Sequence, residues 1–313
     1  LLAAGRASTL HGQQPKARGQ RPHSTFAALH STMTTPHPHE HHAQPLVCEG
    51  DAMRSALLKW TLFPLRFAYK LWFGLIFFGT LILLYLPFQF LLRKESTYPV
   101  AFRLMNVWNR VLNPLLLVPV KRVAMAPLPK PPYVICANHG SYLDIVHMYS
   151  LGLDFFLFMG KYELLRWPLV GMFFKRMNIA VNRGSRTEAA KALIRAARAI
   201  DRGTCVALFP EGTIPHTVPR MKHFKDGAFK LAIEKQVPIV PITFLDHWKL
   251  FGDPADLLSR GHPGFAHAVR HPYIDTRGMT EADLDGLRRR VYDAIEGPLV
   301  KYAPKDGRPP LVL

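Results

Sequence analysis

The sequence predicts an α/β fold carried behind a hydrophobic helical membrane anchor, and three observations predict it. An uncharged apolar run extends from Leu71 to Leu92. Beyond it lie four short apolar segments, each delivering the chain into a polar loop, with helical stretches between them. Strands alternating with helices bring their loops together at the strands' carboxyl ends, which is where such folds place a site. Length permits this: 313 residues, 49% of them hydrophobic, suffice for one main core with appendages.

Residues 1–52 are expected to be a disordered tail, because Gln, Pro, His and Ser are scattered through them without apolar periodicity. The cluster "HPHEHH" at 37–42 could bind a transition metal, but a flexible tract offers its imidazoles no supporting frame, and no metal is expected. The first residue is Leu, so Met33 and Met53 are candidate initiators, and no secretory signal pattern is seen.

Residues 53–120 read as the anchor. The 22 residues of "LWFGLIFFGTLILLYLPFQFLL" make a helix of roughly 30 Å, long enough to cross a bilayer. Lys59, Arg66 and Lys70 before it nearly balance Arg93 and Lys94 after it, so charge sets no orientation. Pro87 is a kink site, which favours a helix that enters the bilayer and returns through residues 100–120 as a monotopic pair. A buried core helix is disfavoured, since such helices seldom lack a polar face over this length.

The α/β domain is expected over 121–303, with a short C-terminal tail at 304–313. Tyr133 to Ala137 is its first legible strand; Asn138 to Ser141 make a turn, and Ser141 caps a helix starting at Tyr142. That arrangement presents His139 at the strand's carboxyl end, with Asp144 able to fold back onto one ring nitrogen. A carboxylate that fixes the tautomer and steadies the imidazolium is what a histidine base needs, and a substrate with its own hydroxyl requires no nucleophilic Ser or Cys. The segment alone is equally compatible with a capped turn and a solvated histidine.

Asn178 to Val181 form a second strand, opening into Arg183, Gly184, Ser185 and Arg186. A guanidinium and exposed amides in a Gly/Ser turn suit a phosphate. The helix after it, "TEAAKALIRAARAIDRG", sets Ala190, Leu193, Ile194 and Ala197 on one side and basic residues elsewhere. Next, "TCVALFPEGTIP" is a strand that stops at Pro210 and releases Glu211, Gly212 and Thr213 into a loop. A further strand covers "VPIVPIT", 237–243, and a capped helix from Thr280 packs through Leu284, Leu287, Val291 and Ile295.

Formal net charge is +18, which suits an anionic partner: nucleic acid, anionic lipid or a phosphorylated substrate. Nucleic acid is set aside, because no aromatic-interleaved basic strand, zinc knuckle or recognition helix occurs and the apolar 22-mer would go unexplained. Three cysteines make no disulfide framework, and Cys136 and Cys205 sit in apolar runs, in keeping with a reducing, cytoplasmic-facing environment.

Taken in order, "NHGSYLD", "IAVNR", "FPEGT" and "VPIVPIT" resemble the four sequence blocks of the glycerolipid acyltransferase family, whose best-known members are the 1-acylglycerol-3-phosphate acyltransferases. The likeness covers roughly residues 60–250. It implies a mixed sheet flanked by helices, and acyl transfer from a thioester, acyl-CoA or acyl-ACP, to a lysolipid hydroxyl at a membrane surface. It also implies His139 as general base and Asp144 as its orienting partner. Arg183 becomes a phosphate ligand, and Glu211, Gly212 and Thr213 become part of the acceptor site. Backbone amides near the turn would receive the oxyanion, and no cofactor is called for. One position departs: Ile214 stands where the family's third block usually has arginine. Arg220, Lys222 and Lys225 could supply the missing charge; otherwise the acceptor is a lysolipid without that phosphate, such as a lyso-aminolipid.

Overall fold

The computed structural model describes residues 61–254 and 256–302, all within one compact unit. The predicted tails at 1–52 and 304–313 and the histidine cluster at 37–42 lie outside the described residues.

The chain begins with helix α1, Phe63–Leu83, followed by the short α2, Tyr85–Leu91, and by α3, Tyr98–Leu115. The predicted single helix over 71–92 therefore starts earlier and is interrupted at Leu84, three residues before Pro87, whose ring would meet the carbonyl of Leu83 in a straight helix. α3 also differs from the expected returning membrane arm. Its buried residues include Asn109 and Asn113, and Asn109 Nδ2 donates to the Val146 carbonyl at 2.7 Å, so this helix is packed into the α/β body. The boundary expected at 120/121 does not divide the structure, because α1, α2 and the residue that caps α2 bury Tyr69, Leu81, Phe88 and Leu92 in the same compact unit.

Seven strands form one mixed sheet: β1 Val120–Met125, β2 Val134–Ala137, β3 Phe156–Lys161, β4 Ile179–Val181, β5 Cys205–Leu208, β6 Ile239–Phe244 and β7 Ala266–Arg270. Their order across the sheet is β1-β7-β6-β2-β5-β3-β4, parallel throughout except for β6 against β7. β2 sits at the centre with all four residues buried, the expected signature of a parallel strand covered on both faces. Pro241 is tolerated inside β6 because its carbonyl accepts from His271 N at 3.0 Å on the side where β7 has just ended, so its missing N–H falls beyond the ladder.

The remaining helices are α4 Leu143–Met148, α5 Gly171–Arg176, α6 Arg186–Asp201, α7 Gly227–Lys235, α8 His247–Leu250 and α9 Leu284–Tyr302. Ser185 caps α6 by accepting from Glu188 N. That helix buries Ala192, Ala196, Ala197, Ala199 and Ile200, whereas Ala190 and Ile194 of the predicted face are exposed. The capped start at Thr280 is present, with Asp283 closing the box, and Leu287, Val291 and Ile295 are buried as predicted.

Candidate active site

β2 and β5 are direct neighbours, so the loops leaving their carboxyl ends meet. His139 leaves β2, and its Nδ1 lies 3.0 Å from Asp144 Oδ2 at the start of α4. Asp144 is fully buried and holds the turn as well: Gly140 N and Ser141 N both donate to Oδ2, at 2.7 and 2.8 Å. Burial would raise this carboxyl, but hydrogen bonds from His139 and His247 prevail and hold it at about 2. The pair is thus a fixed carboxylate orienting an imidazole, and not a solvated histidine on a capped turn. Ser141 does not act as the expected cap residue, a position taken by Tyr142. Its Oγ accepts from Leu143 N at 3.2 Å and donates to the Phe251 carbonyl at 2.6 Å.

Four features were not read from the sequence. His247 Nδ1 approaches Asp144 Oδ1 at 2.7 Å, so both oxygens of one carboxylate serve histidines. His147 Nδ1 continues the chain to His247 Nε2 at 3.3 Å; it is buried and depressed well below its ordinary range, first by desolvation and then by His247. The ring of Phe209 stacks on His139 with centroids 4.1 Å apart. Asn138 exchanges two hydrogen bonds with Phe244 of β6, at 2.9 and 2.7 Å, clamping the turn to its other neighbouring strand.

Glu211 is buried, and both its oxygens are engaged by backbone: Oε1 accepts from His139 N at 2.8 Å and Oε2 from Lys222 N at 2.9 Å. It braces the His139 turn against the loop above it. Burial pushes it up to about 7, in opposition to those two donors. Gly212 has φ +76, and a Cβ there would meet Lys225 Cε at 3.1 Å, so glycine is required and the lysine stem lies against it. Thr213 is exposed on the same loop. Lys222 enters through its backbone N–H, while Arg220 lines a small cleft together with His139, Glu211, Met221 and Trp248.

Arg183 is not brought to this cleft. It follows β4, an edge strand separated from β2 by β5 and β3, which at about 4.8 Å per strand puts it roughly 14 Å along the sheet. It is exposed and faces Glu163. The three N–H groups of the His139 turn are likewise committed, to Glu211 and Asp144, and are not available for an oxyanion.

Among the described residues no group of three or more His, Cys, Asp or Glu is placed to hold a metal ion. Burial raises the thiols of Cys136 and Cys205, which places both outside nucleophilic chemistry near neutral pH. What remains is a base-and-carboxylate pair beside a cationic loop, the equipment for activating a hydroxyl.

Residues 119–245 match the family model described as Acyltransferase. Relatives agree in kind. A 1-acyl-sn-glycerol-3-phosphate acyltransferase of Chlamydomonas reinhardtii is 32% identical over 178 residues, covering 56% of this chain and 52% of its own length. The 1-acyl-sn-glycerol-3-phosphate acyltransferase alpha of Mus musculus is 32% identical over 174 residues, covering 52% of this chain and 57% of its own. The chain thus spans somewhat over half the length of these relatives. The crystal structure of the 1-acyl-sn-glycerophosphate (LPA) acyltransferase PlsC from Thermotoga maritima superposes with a TM-score of 0.59 at 21% identity, over 82% of this chain and 99% of that one, and shares the fold.

Proposed function

We propose that this chain is a membrane-associated O-acyltransferase that moves a fatty acyl group from a thioester to the free hydroxyl of 1-acylglycerol-3-phosphate, forming phosphatidate. The observation that carries the reading is the His139–Asp144 pair, 3.0 Å apart, at the mouth of a central parallel strand. With Nδ1 held by the carboxylate, the other ring nitrogen takes the acceptor's hydroxyl proton as its oxygen attacks the thioester carbonyl. The new C–O bond forms, the C–S bond breaks, and the departing thiolate receives the proton from the imidazolium. A positioned base contributes typically 10²–10⁴-fold.

The names of the relatives support the phosphate-bearing acceptor. Of the cations expected to hold that phosphate, Arg220 lines the His139 cleft and Lys225 lies against Gly212, which favours these two over the distant Arg183. A second reading, transfer to another lysolipid such as a lyso-aminolipid or a lysophospholipid undergoing remodelling, is favoured by Ile214 in the place of the family's usual arginine. The exposed apolar faces of α1 and α2 support membrane association, with the bilayer as lipid source; the free, buried thiols of Cys136 and Cys205 accord with a site at the cytoplasmic face.

The test is incubation of the purified protein with a panel of lysolipids and both thioesters, acyl-CoA and acyl-ACP, with products identified by mass. Phosphatidate formation that disappears in His139→Ala, while the variant stays folded, is the expected result. A His139→Ala turnover above about a tenth of wild type contradicts the mechanism. Preference for a phosphate-free lysolipid replaces the acceptor.

A further inference from the structure

A wide cleft lies beside the His139 site, beyond the segment that matches the acyltransferase family model, and the mechanism above does not use it. It has a volume of about 680 Å³ between the first turns of α1 and the loop that follows α8. Its charged lining is entirely cationic: Arg66 from α1, Lys249 from α8 and Arg260 from the loop, with His262 at the rim. Among the described residues no carboxylate forms an ion pair with Arg66, Lys249 or Arg260. The two guanidiniums are close enough that, after desolvation, the charge of Arg66 further lowers Arg260. Arg66 Nη1 also ties α1 to the loop by donating to the Leu258 carbonyl at 3.3 Å, but like charges gathered in a concave site repel one another, and a polyanion would relieve that repulsion.

The cleft is built rather than accidental. Lys70 ties the loop to α1 by donating to the carbonyls of Asp253 and Asp256, at 3.3 and 2.5 Å, and to Ser259 Oγ at 2.7 Å. Gly261 packs tightly enough on α1 that a Cβ there would meet Lys70 Cγ at 3.0 Å. The acidic residues of the loop, Asp253 and Asp256, act on Lys70 and do not line the cleft. Trp248 forms the partition. Its ring carries Arg260 at 4.8 Å and Lys249 at 5.4 Å, its Nε1 is buried without a partner, and the same residue lines the His139 cleft. One ligand can therefore hold its reacting end at His139 and its charged end among Arg66, Lys249 and Arg260, passing along Trp248.

We infer that this cleft binds the phosphorylated adenosine end of a coenzyme A thioester donor: several phosphates for three cations, and an aromatic wall beside them. The inference rests on the acyl-transfer reading and names its donor. An acyl carrier protein would instead present one phosphodiester on a protein surface, and a lipid headgroup would load the acceptor's side of the reaction.

The probe is adenosine 3′,5′-bisphosphate, titrated into the full chain in detergent and followed by Trp fluorescence or calorimetry, alongside steady-state kinetics. Each charged hydrogen bond removed should weaken binding about tenfold or more. Arg66→Ala and Arg260→Ala should each do so, raise the KM for acyl-CoA in proportion, and leave the KM for the lysolipid unchanged. Lys249→Glu, which alters no backbone tie, should have the same effect should an arginine variant fail to fold. Wild type that does not bind the probe, or variants that bind it equally well, overturns the inference. So does a rise in the lysolipid KM instead, which would give the cleft to a lipid headgroup, or wild-type turnover with acyl-ACP alone. Probe binding without any acyl transfer would leave the cleft standing and remove the proposed reaction, so the two failures are distinguishable.

Discussion

Asp144 is held from four directions, and each donor has a different task. The N–H groups of Gly140 and Ser141 fix the turn, His139 is the proposed base, and His247 sets the plane of the carboxylate through Oδ1. His247→Asn retains an N–H donor near the position of Nδ1, whereas His247→Leu leaves Oδ1 buried and unpaired, at a cost of about 1–3 kcal/mol. Turnover should fall roughly ten- to a hundredfold in the leucine variant, because a small misplacement of a base is expensive, and recover substantially in the asparagine variant. Equal kcat in wild type and His247→Leu would mean the backbone donors suffice to hold the carboxylate. Glu211 offers a pH prediction with a definite sign. Its folded-state value, about 7, lies above the ordinary 4.5, so the unfolded chain loses this proton first as pH rises. Glu211 therefore contributes stability below about pH 4.5 that is withdrawn between there and about pH 7. Glu211→Gln should flatten that part of the stability curve measured by denaturant midpoint, and an unchanged slope would refute the assignment. His139 and Asp144 were legible because they are five residues apart on a strand–turn–helix. His247 was not: it meets Asp144 across 103 residues, and nothing in "LDHW", at 245–248, marks that histidine as a partner of a turn so distant in sequence.

At the level of elements, β2, β4, β5 and β6 were legible, whereas β1 and β7, and the buried β3 with its aromatic run, were not. β2, β5 and β6 are continuous apolar runs, and their ends were placed within about two residues. β1 "VKRVAM" is largely exposed and β7 "AHAVR" only partly buried, so neither has the apolar density that marks a strand without its neighbours. The same limit applies to α1 and α2. Hydrophobicity announces them, but whether they face lipid or protein depends on partners distant in sequence. Phe73 meets Phe251 with centroids 4.3 Å apart, Phe88 meets Phe173 at 4.9 Å, and Tyr69 OH donates to the Leu116 carbonyl at 2.8 Å. Removing a buried large apolar side chain costs about 2–5 kcal/mol, so losing Tyr69, Leu81, Phe88 and Leu92 together matches or exceeds the 5–15 kcal/mol that holds a typical domain. Deletion of residues 1–95 should consequently abolish cooperative thermal unfolding, not liberate a soluble enzyme. A soluble deletion product with a sharp melting transition would show that α1 and α2 are only a tether.

For the whole molecule, the question is how a helix long enough to cross a bilayer can also be part of an α/β body. α1 has 21 residues, or about 31 Å, and would suffice for a span. Yet its first turns hold the loop of Asp253 and Asp256 through Lys70, and both acids are exposed. A spanning α1 would draw those charges toward hydrocarbon at a cost of several kcal/mol each. For the proposed membrane-associated enzyme, the arrangement that would keep every contact is a helix lying at the surface of one leaflet, with its unburied stripe of Leu71, Leu75, Phe78, Ile82 and Leu86 turned to lipid and the His139 loops within reach of the headgroups. Embedding a leucine or isoleucine contributes about 1.5–3 kcal/mol. Leu75→Glu, Ile82→Glu and Leu86→Glu combined should therefore lower partitioning onto phospholipid vesicles by more than a hundredfold. Those side chains are exposed in the protein, Leu75 by 63% and Leu86 by 75%, so the triple variant should keep the wild-type melting temperature and turn over micellar lysolipid. Removal of residues 1–52 should change neither quantity. Flotation of the triple variant with vesicles as efficiently as wild type would locate the membrane contact on another face, and loss of its melting transition would mean that the stripe is core and not a lipid surface.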